Sequence, residues 1–199
     1  MKTVAIVALV LGILFVISQI VIKRATNRTE GHQYTVLKKY EDFEIRKYES
    51  ALFSYTVMQA DAYKNVSSTG FRRLAGYIFG GNDKNQKIAM TSPVAMSMDD
   101  SITMKFKIPD GLSSDELPKP TNPEVHFTEE PEKIVAALRF GGKTTDARIA
   151  TNIEKLKRAL SEENIEHTSH FSYLGYNPPY EVIGRRNEVI VELPSFKTD

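Results

Sequence analysis

One plan is written twice in this chain, about 85 residues apart, and no other feature limits the fold as much. In the first copy, residues 51–58 (ALFSYTVM) read as a strand and residues 63–79 as a helix. A Ser92-Pro93 break, a strand at 102–108 and Pro109 follow. In the second copy, residues 133–140 (KIVAALRF) read as a strand and residues 146–160 as a helix. Pro178-Pro179, a strand at 188–193 and Pro194 follow. Order, spacing and both proline stops recur, while the residues themselves mostly differ. A strand–helix–strand–strand unit cannot bury both of its faces alone, so two copies packed together close one core. The sequence therefore predicts an α+β domain, in which duplicated strand–helix–strand–strand units form a distorted open β-barrel with two flanking helices. The seam between such copies is a natural place for a pocket.

An N-terminal hydrophobic helix precedes this body. Residues 3–22 (TVAIVALVLGILFVISQIVI) carry no charge. As a helix rising 1.5 Å per residue they reach roughly 30 Å, the thickness of a bilayer core. A cleaved secretory signal competes with that reading, but its apolar region runs only about 7–15 residues. Val16-Ile17-Ser18 is a mediocre cleavage site, and no Ala-x-Ala is present. The expectation is a single-pass membrane anchor (or signal peptide) over residues 1–24, a polar tether over 25–33 and a monomeric binding domain over 34–199. Lys2 and the amino terminus flank one end of the span, and Lys23, Arg24 and Arg28 the other. That count leans, by a thin margin, toward a body on the cytoplasmic side.

Charge and cysteine content remove whole classes of function. The chain has 26 basic and 25 acidic residues, and its first 24 residues hold Lys2, Lys23 and Arg24 without an acid. Removing those three leaves 23 basic against 25 acidic side chains, a slightly acidic body without the electrostatic footprint of a nucleic-acid binder. The absence of cysteine excludes disulfides, thiolate metal sites and cysteine nucleophiles.

Along the body, residues 34–39 and 43–48 read as two short strands around Glu41-Asp42. In the first helix Tyr63, Val66, Gly70, Phe71, Leu74, Tyr77 and Ile78 recur at helical spacing. Gly70 costs that helix up to about 1 kcal/mol relative to alanine, which points to close packing there. Gly80-Gly81-Asn82-Asp83 ends it as a left-handed cap and turn. Residues 88–98 read as extended but broken by Pro93, and 109–123 as a proline-rich surface loop. Ile149, Ile153, Leu156 and Leu160 stripe the second helix, with Lys155, Lys157 and Arg158 facing water.

Few side chains suggest chemistry. His32, His126, His167 and His170 read as ordinary surface or half-buried histidines, because i and i+3 on a strand point to opposite faces. No Gly-x-Ser-x-Gly elbow or phosphate-cradling glycine loop is present, and the chain reads as a non-enzyme. Glu129, Glu130 and Glu132 read as a solvated rim. Met58, Met90, Met96, Met98 and Met104 cluster on neighbouring strands. Thioethers there can line a pocket, fill a core or meet a soft ion, and gap filling is the simplest of these. Arg46, Lys47, Arg72, Arg73, Arg185 and Arg186 are cations available to ligand carboxylates.

Three segments carry a resemblance: FEIRKY (residues 43–48), GFRRLAGYIFGGNDKNQKIAMTSPVAM (70–96) and GYNPPYEVIGRRNEVIVEL (175–193). In this order and spacing they resemble the SOUL haem-binding protein family over residues 34–193. The resemblance implies a duplicated α+β barrel with two helices that binds haem or another tetrapyrrole reversibly, in an apolar pocket beside the first helix. It implies a carrier, buffer or signalling protein rather than a catalyst. The expected contacts are Arg46, Lys47, Phe71, Arg72, Arg73, Leu74, Ile78, Met90, Met96, Met98 and Tyr176. Some members place a histidine, proposed as an axial iron ligand, where this chain has Lys47. Others carry basic residues where this chain has Ser68 and Gly76. Binding here is therefore expected to rest on apolar burial and propionate pairing. A macrocycle face of several hundred Å² at about 25 cal/mol per Å² can outweigh an absent axial bond. Two alternatives keep the fold: an effector-binding module for other small amphipathic molecules, like those of some bacterial regulators, and a protein-interaction module whose pocket is simply core.

Overall fold

A computed structural model describes residues 2–59, 63–97, 99 and 101–197. The strands are β1 (Tyr34–Lys39), β2 (Glu44–Tyr48), β3 (Ala51–Met58), β4 (Val94–Ser97), β5 (Ile102–Lys107), β6 (His126–Glu130), β7 (Lys133–Phe140), β8 (Phe171–Gly175) and β9 (Asn187–Glu192). The helices are α1 (Lys2–Arg28), α2 (Tyr63–Ile78) and α3 (Asp146–Glu162). The duplication is real: β3–α2–β4–β5 and β7–α3–β8–β9 repeat one topology. All nine strands form one antiparallel sheet in the order β1-β2-β7-β9-β8-β4-β5-β3-β6. The two units meet where β4 pairs with β8, from Val94 opposite Gly175 to Ser97 opposite Ser172.

Each unit also lends a strand to the other. β2 leads into β3 in sequence but pairs with β7, and β6 leads into β7 but pairs with β3. In the sheet β2 and β3 stand six strand spacings apart, as do β6 and β7. A flat sheet would separate them by about 29 Å. Only Glu49-Ser50 joins the first pair and Pro131-Glu132 the second, and such a link spans about 11 Å at most. The sheet must therefore curl until its ends meet. That curl creates a convex face, covered by helices, and a concave trough.

The main core lies under the helices. α2 packs on β3 and β5, and α3 on β7 and β9. Leu74, Tyr77 and Ile78 of α2 and Ile149, Leu156 and Leu160 of α3 are buried against Ile45, Met58, Met96, Met104 and Leu138. Met58, Met96 and Met104 act here as gap fillers. A β-carbon at Gly70 would stand 2.7 Å from the Met58 sulfur and 3.3 Å from the Met104 methyl, so the glycine brings α2 down onto the sheet. Gly80 ends α2 with φ +111°, as a left-handed cap requires. Beyond it the Asn82 side chain donates to the carbonyls of Tyr77 and Gln86.

Three stretches depart from the sequence reading. Of the described residues 88–97, only Val94–Ser97 form a strand. Residues 171–175, not expected as a strand, form β8 because Phe171 and Tyr173 bury alternate side chains. The segment that reads as a tether is helical to Arg28 and then pinned to the body. Glu30 accepts from the Lys107 ammonium at 2.7 Å and the Asp110 amide at 2.8 Å, and His32 bonds the Glu49 carbonyl at 2.7 Å.

The trough wall holds an ion cluster joining β2, β8 and β9. Glu188 is fully buried. Its oxygens accept from Arg46 at 2.8 and 3.2 Å, from Arg186 at 2.7 and 2.9 Å, and from the Tyr176 hydroxyl at 2.8 Å. Glu44 takes a further Arg46 donor at 2.9 Å, and the Arg46 guanidinium lies 4.4 Å above the Tyr34 ring. Burial alone would lift the Glu188 carboxyl. The hydrogen bond and charge of Arg46 and the charge of Arg186 outweigh it and hold the group below its ordinary value.

Two expectations follow from this packing. Gly70→Val overfills the contact with Met58 and should cost about 1–3 kcal/mol, read from thermal unfolding of the full chain in mild detergent. Glu188 titrates lower folded than unfolded. Its stabilising contribution is complete above the unfolded value near 4.5 and lost as pH falls through the folded one. Glu188→Gln should abolish that part of the acid transition and cost about 3–5 kcal/mol, since two cations lose their counter-charge. Melting curves of both proteins across the acid range check this, and an unchanged acid limb in the variant contradicts it.

Candidate functional site

The two long faces of α2 are unlike. Leu74, Ala75, Tyr77 and Ile78 point into the core, while Ser68, Thr69, Phe71, Arg72 and Gly76 face solvent. This division follows from helical spacing: the buried set recurs at three and four residues, and Phe71 and Arg72 fall between. Phe71 leaves 39% of its surface exposed although its ring leans on Phe106, 5.3 Å between centroids. Arg73 pairs with Glu124 at 2.8 Å and reaches Thr56 at 3.5 Å. Arg72 forms no ion pair or hydrogen bond with any described residue. Thr69, Arg72 and Arg73 line an open depression of about 250 Å³ with Asn122 of the loop before β6. The surface thus offers, at this depression, a half-engaged guanidinium and one unpaired among the described residues, with the exposed Phe71 ring on the opposite flank of α2 from Arg73.

The other expected contacts are dispersed. Leu74, Ile78 and Met96 are buried in the core beneath α2, and Met90 is half-buried against it. Met98 lies outside the described residues. Lys47 stands on β2 and pairs with Glu132 at 2.9 Å. Arg46 and Tyr176 belong to the Glu188 cluster on the trough side, away from α2. Arg185 is spent on three backbone carbonyls, those of Pro178, Glu181 and Asn177. Of the named residues, the structure brings together Arg72 and Arg73 at one depression, while Phe71 stands on the same helix but leans toward Phe106. Sequence reading missed Thr69 and Asn122, which lie on different segments and carry no pattern of their own. It also missed Glu188, whose signal was an acid within the apolar run NEVIVE.

The trough holds a cavity of about 70 Å³ lined by apolar side chains, among them Tyr48, Phe53, Leu174 and Ile190, together with polar ones such as His32, Ser97 and Ser172. Lys105 and Lys133 close its rim by pairing with Glu130, and Lys133 reaches Glu192 at 3.0 Å. Glu130 is therefore a clamped, half-buried group rather than part of a solvated rim. Although burial opposes it, the charge of Lys133 holds the Glu130 carboxyl below its ordinary value. Burial depresses the His32 imidazole and raises the Tyr48 phenol. His170 pairs with Asp99 at 3.0 Å, and His167 packs edge-on against Phe171. Among the described residues no group of three His, Asp or Glu side chains is placed to hold a metal ion.

With this geometry in hand, comparison with known proteins is informative. The model of the family described as SOUL heme-binding protein matches residues 29–192. Heme-binding protein 1 of Xenopus tropicalis is 30% identical over 155 residues, covering 74% of this chain and 81% of that protein. Heme-binding protein 2 of Mus musculus is 29% identical over 156 residues, covering 74% and 76%. Among solved structures, the EcmrR C-terminal domain superposes with a TM-score of 0.59 at 7% identity, over 80% of this chain and 96% of that one. A hydrolase from Listeria innocua reaches 0.51 at 8% identity, over 77% and 92%. At such identities the likeness is one of fold. The family model begins just after α1 and spans both structural units to the end of β9. The chain belongs to the SOUL haem-binding protein family.

Proposed function

We propose that this protein binds haem or another tetrapyrrole reversibly on the outward face of α2, and that α1 holds it to a membrane as a carrier, buffer or sensor. Membership in a haem-binding family carries the ligand class. The α2 surface supplies a fit to it. An exposed aromatic ring can lie against a macrocycle face, and two guanidinium groups one residue apart can take its carboxylates through charge-assisted hydrogen bonds. The trough is the poorer alternative: its cavity of about 70 Å³ is smaller than the open α2 depression of about 250 Å³, and both are below the roughly 300–1,000 Å³ of ordinary enclosed pockets. Its wall cations are already paired.

The donors near α2 do not resemble an iron site. Lys47 is on β2 while α2 packs on β3 and β5, and its paired ammonium has no lone pair to give. The buried methionines face the core. Retention of the ligand is assigned to ring contact and carboxylate pairing, so iron is tolerated rather than required. Membrane attachment rests on α1, which is long and apolar enough to cross a bilayer and leaves nearly all of its apolar stretch exposed. That apolar surface needs lipid to cover it.

Titration of the full chain in detergent with haem and with protoporphyrin IX, followed in the Soret band, tests this reading. Both ligands should bind with dissociation constants within about tenfold of each other, a gap of 1.4 kcal/mol. Phe71→Ala and Arg72→Ala should each weaken both by about 5–30-fold, or 1–2 kcal/mol. Tyr48→Phe, in the trough, should change neither. No Soret shift with either ligand removes the tetrapyrrole reading in favour of another small amphipathic ligand. Weakening by Tyr48→Phe alone moves the site to the trough.

A further inference from the structure

The loop from β8 to β9 presents three large apolar side chains to solvent: Tyr180, Val182 and Ile183 are 66%, 57% and 53% exposed. The loop is nonetheless stiff. The Arg185 guanidinium donates to the carbonyls of Asn177, Pro178 and Glu181, and the Arg186 amide donates to the Asn177 side chain at 2.6 Å. Its tip is fastened to α1. The Gln19 amide donates to the Tyr180 carbonyl at 3.3 Å and accepts from the Val182 amide at 3.0 Å. Thr26 donates to the buried Glu181 carboxylate at 2.7 Å. The Lys23 ammonium lies 2.9 Å from where a β-carbon on Gly184 would stand. Gln19, Lys23 and Thr26 recur at i, i+4 and i+7, so the C-terminal part of α1 turns one polar stripe toward the loop.

We infer that this loop is a second membrane contact: Tyr180, Val182 and Ile183 embed in the same bilayer leaflet that receives the C-terminal end of the α1 span. The inference rests on the reading of α1 as a membrane span. The uncharged stretch ends at Ile22, and Lys23 and Arg24 mark its boundary with the headgroups. Gln19 lies four residues inside that boundary, about 6 Å along the helix. A loop bonded to Gln19 therefore reaches the depth at which interfacial apolar groups settle, roughly 5–10 Å into the headgroup and acyl boundary. Its composition matches the place, with a tyrosine for the interface and branched aliphatics beyond it. Burying the Gln19 amide against backbone groups also removes the cost of a polar side chain in the span. Two attachments, one through α1 and one through the loop, hold the body at a fixed attitude to the membrane.

The chain has no cysteine, so single nitroxide labels can be placed by Val182→Cys, Ile183→Cys, Leu11→Cys and Glu129→Cys in the full chain. The proteins are reconstituted into phosphatidylcholine vesicles containing phosphatidylglycerol. Collision of each label with oxygen and with a water-soluble nickel chelate is then measured. Labels at 182 and 183 should resemble the one at 11, with several-fold lower exposure to the chelate than the label at 129. Labels at 182 and 183 that match the one at 129, while 11 remains in lipid, overturn the loop contact and leave the anchor standing. A label at 11 that is exposed to the chelate overturns the anchor and this inference together.

Discussion

Two links of two residues each decide the shape of this protein. Glu49-Ser50 and Pro131-Glu132 join strands that the hydrogen-bond ladder puts six spacings apart. No flat or gently twisted sheet accommodates both. The curl they impose separates a helix-covered face from a trough, and the exchange of β2 and β6 between units makes the two halves inseparable. Neither unit can leave without taking a strand from the other's edge. The rim pairs Lys105–Glu130–Lys133–Glu192 stand beside the second link and cross from β5 to β9 where the sheet ends approach.

The same curl explains why the two faces differ in what they offer a ligand. On the concave side, charges brought close by curvature find one another. Arg46 and Arg186 converge on Glu188, with Tyr176 completing its acceptor sites. A carboxylate so fully engaged has little left for an incoming cation, and the two arginines have little left for an anion. On the convex side, α2 spends its apolar residues on the core, leaves Phe71 partly exposed against Phe106, and leaves Arg72 without an ion pair or hydrogen bond among the described residues. Unspent interactions sit there, and unspent interactions are what a ligand can use.

The parts visible in the sequence were those set by local periodicity. β3 and β7 match the limits read from the pattern, and both body helices do so within two residues. Gly70 was legible as a close approach because a glycine inside an amphipathic helix needs a reason. β8 was obscured because its alternation, Phe171 then Tyr173, sits between two histidines and a glycine. The exchange of β2 and β6 left no trace, since pairing partners are chosen by tertiary packing and not by strand composition. The site was partly legible for the same reason. The spacing that buries Leu74 and Ile78 also turns Phe71 and Arg72 outward. Nothing local told that Arg46, in FEIRKY, has its partner 142 residues away.

The apolar helix α1 and the outward face of α2 also stand in a definite relation. α2 begins beside the loop that grips α1: Tyr63 packs edge-on against Tyr173 at 5.4 Å and feels the charge of Arg185. Phe71 lies eight residues on, about 12 Å along the helix. If residues 3–22 span a bilayer, the loop proposed to meet lipid lies near the start of the helix whose outward face is proposed to meet the ligand. A flat amphipathic ligand with carboxylates at one edge prefers the interface of a bilayer to either of its neighbours, as such amphiphiles do. On the proposed reading, two attachments rather than one would limit the orientations that the body, and with it α2, can take relative to the lipid.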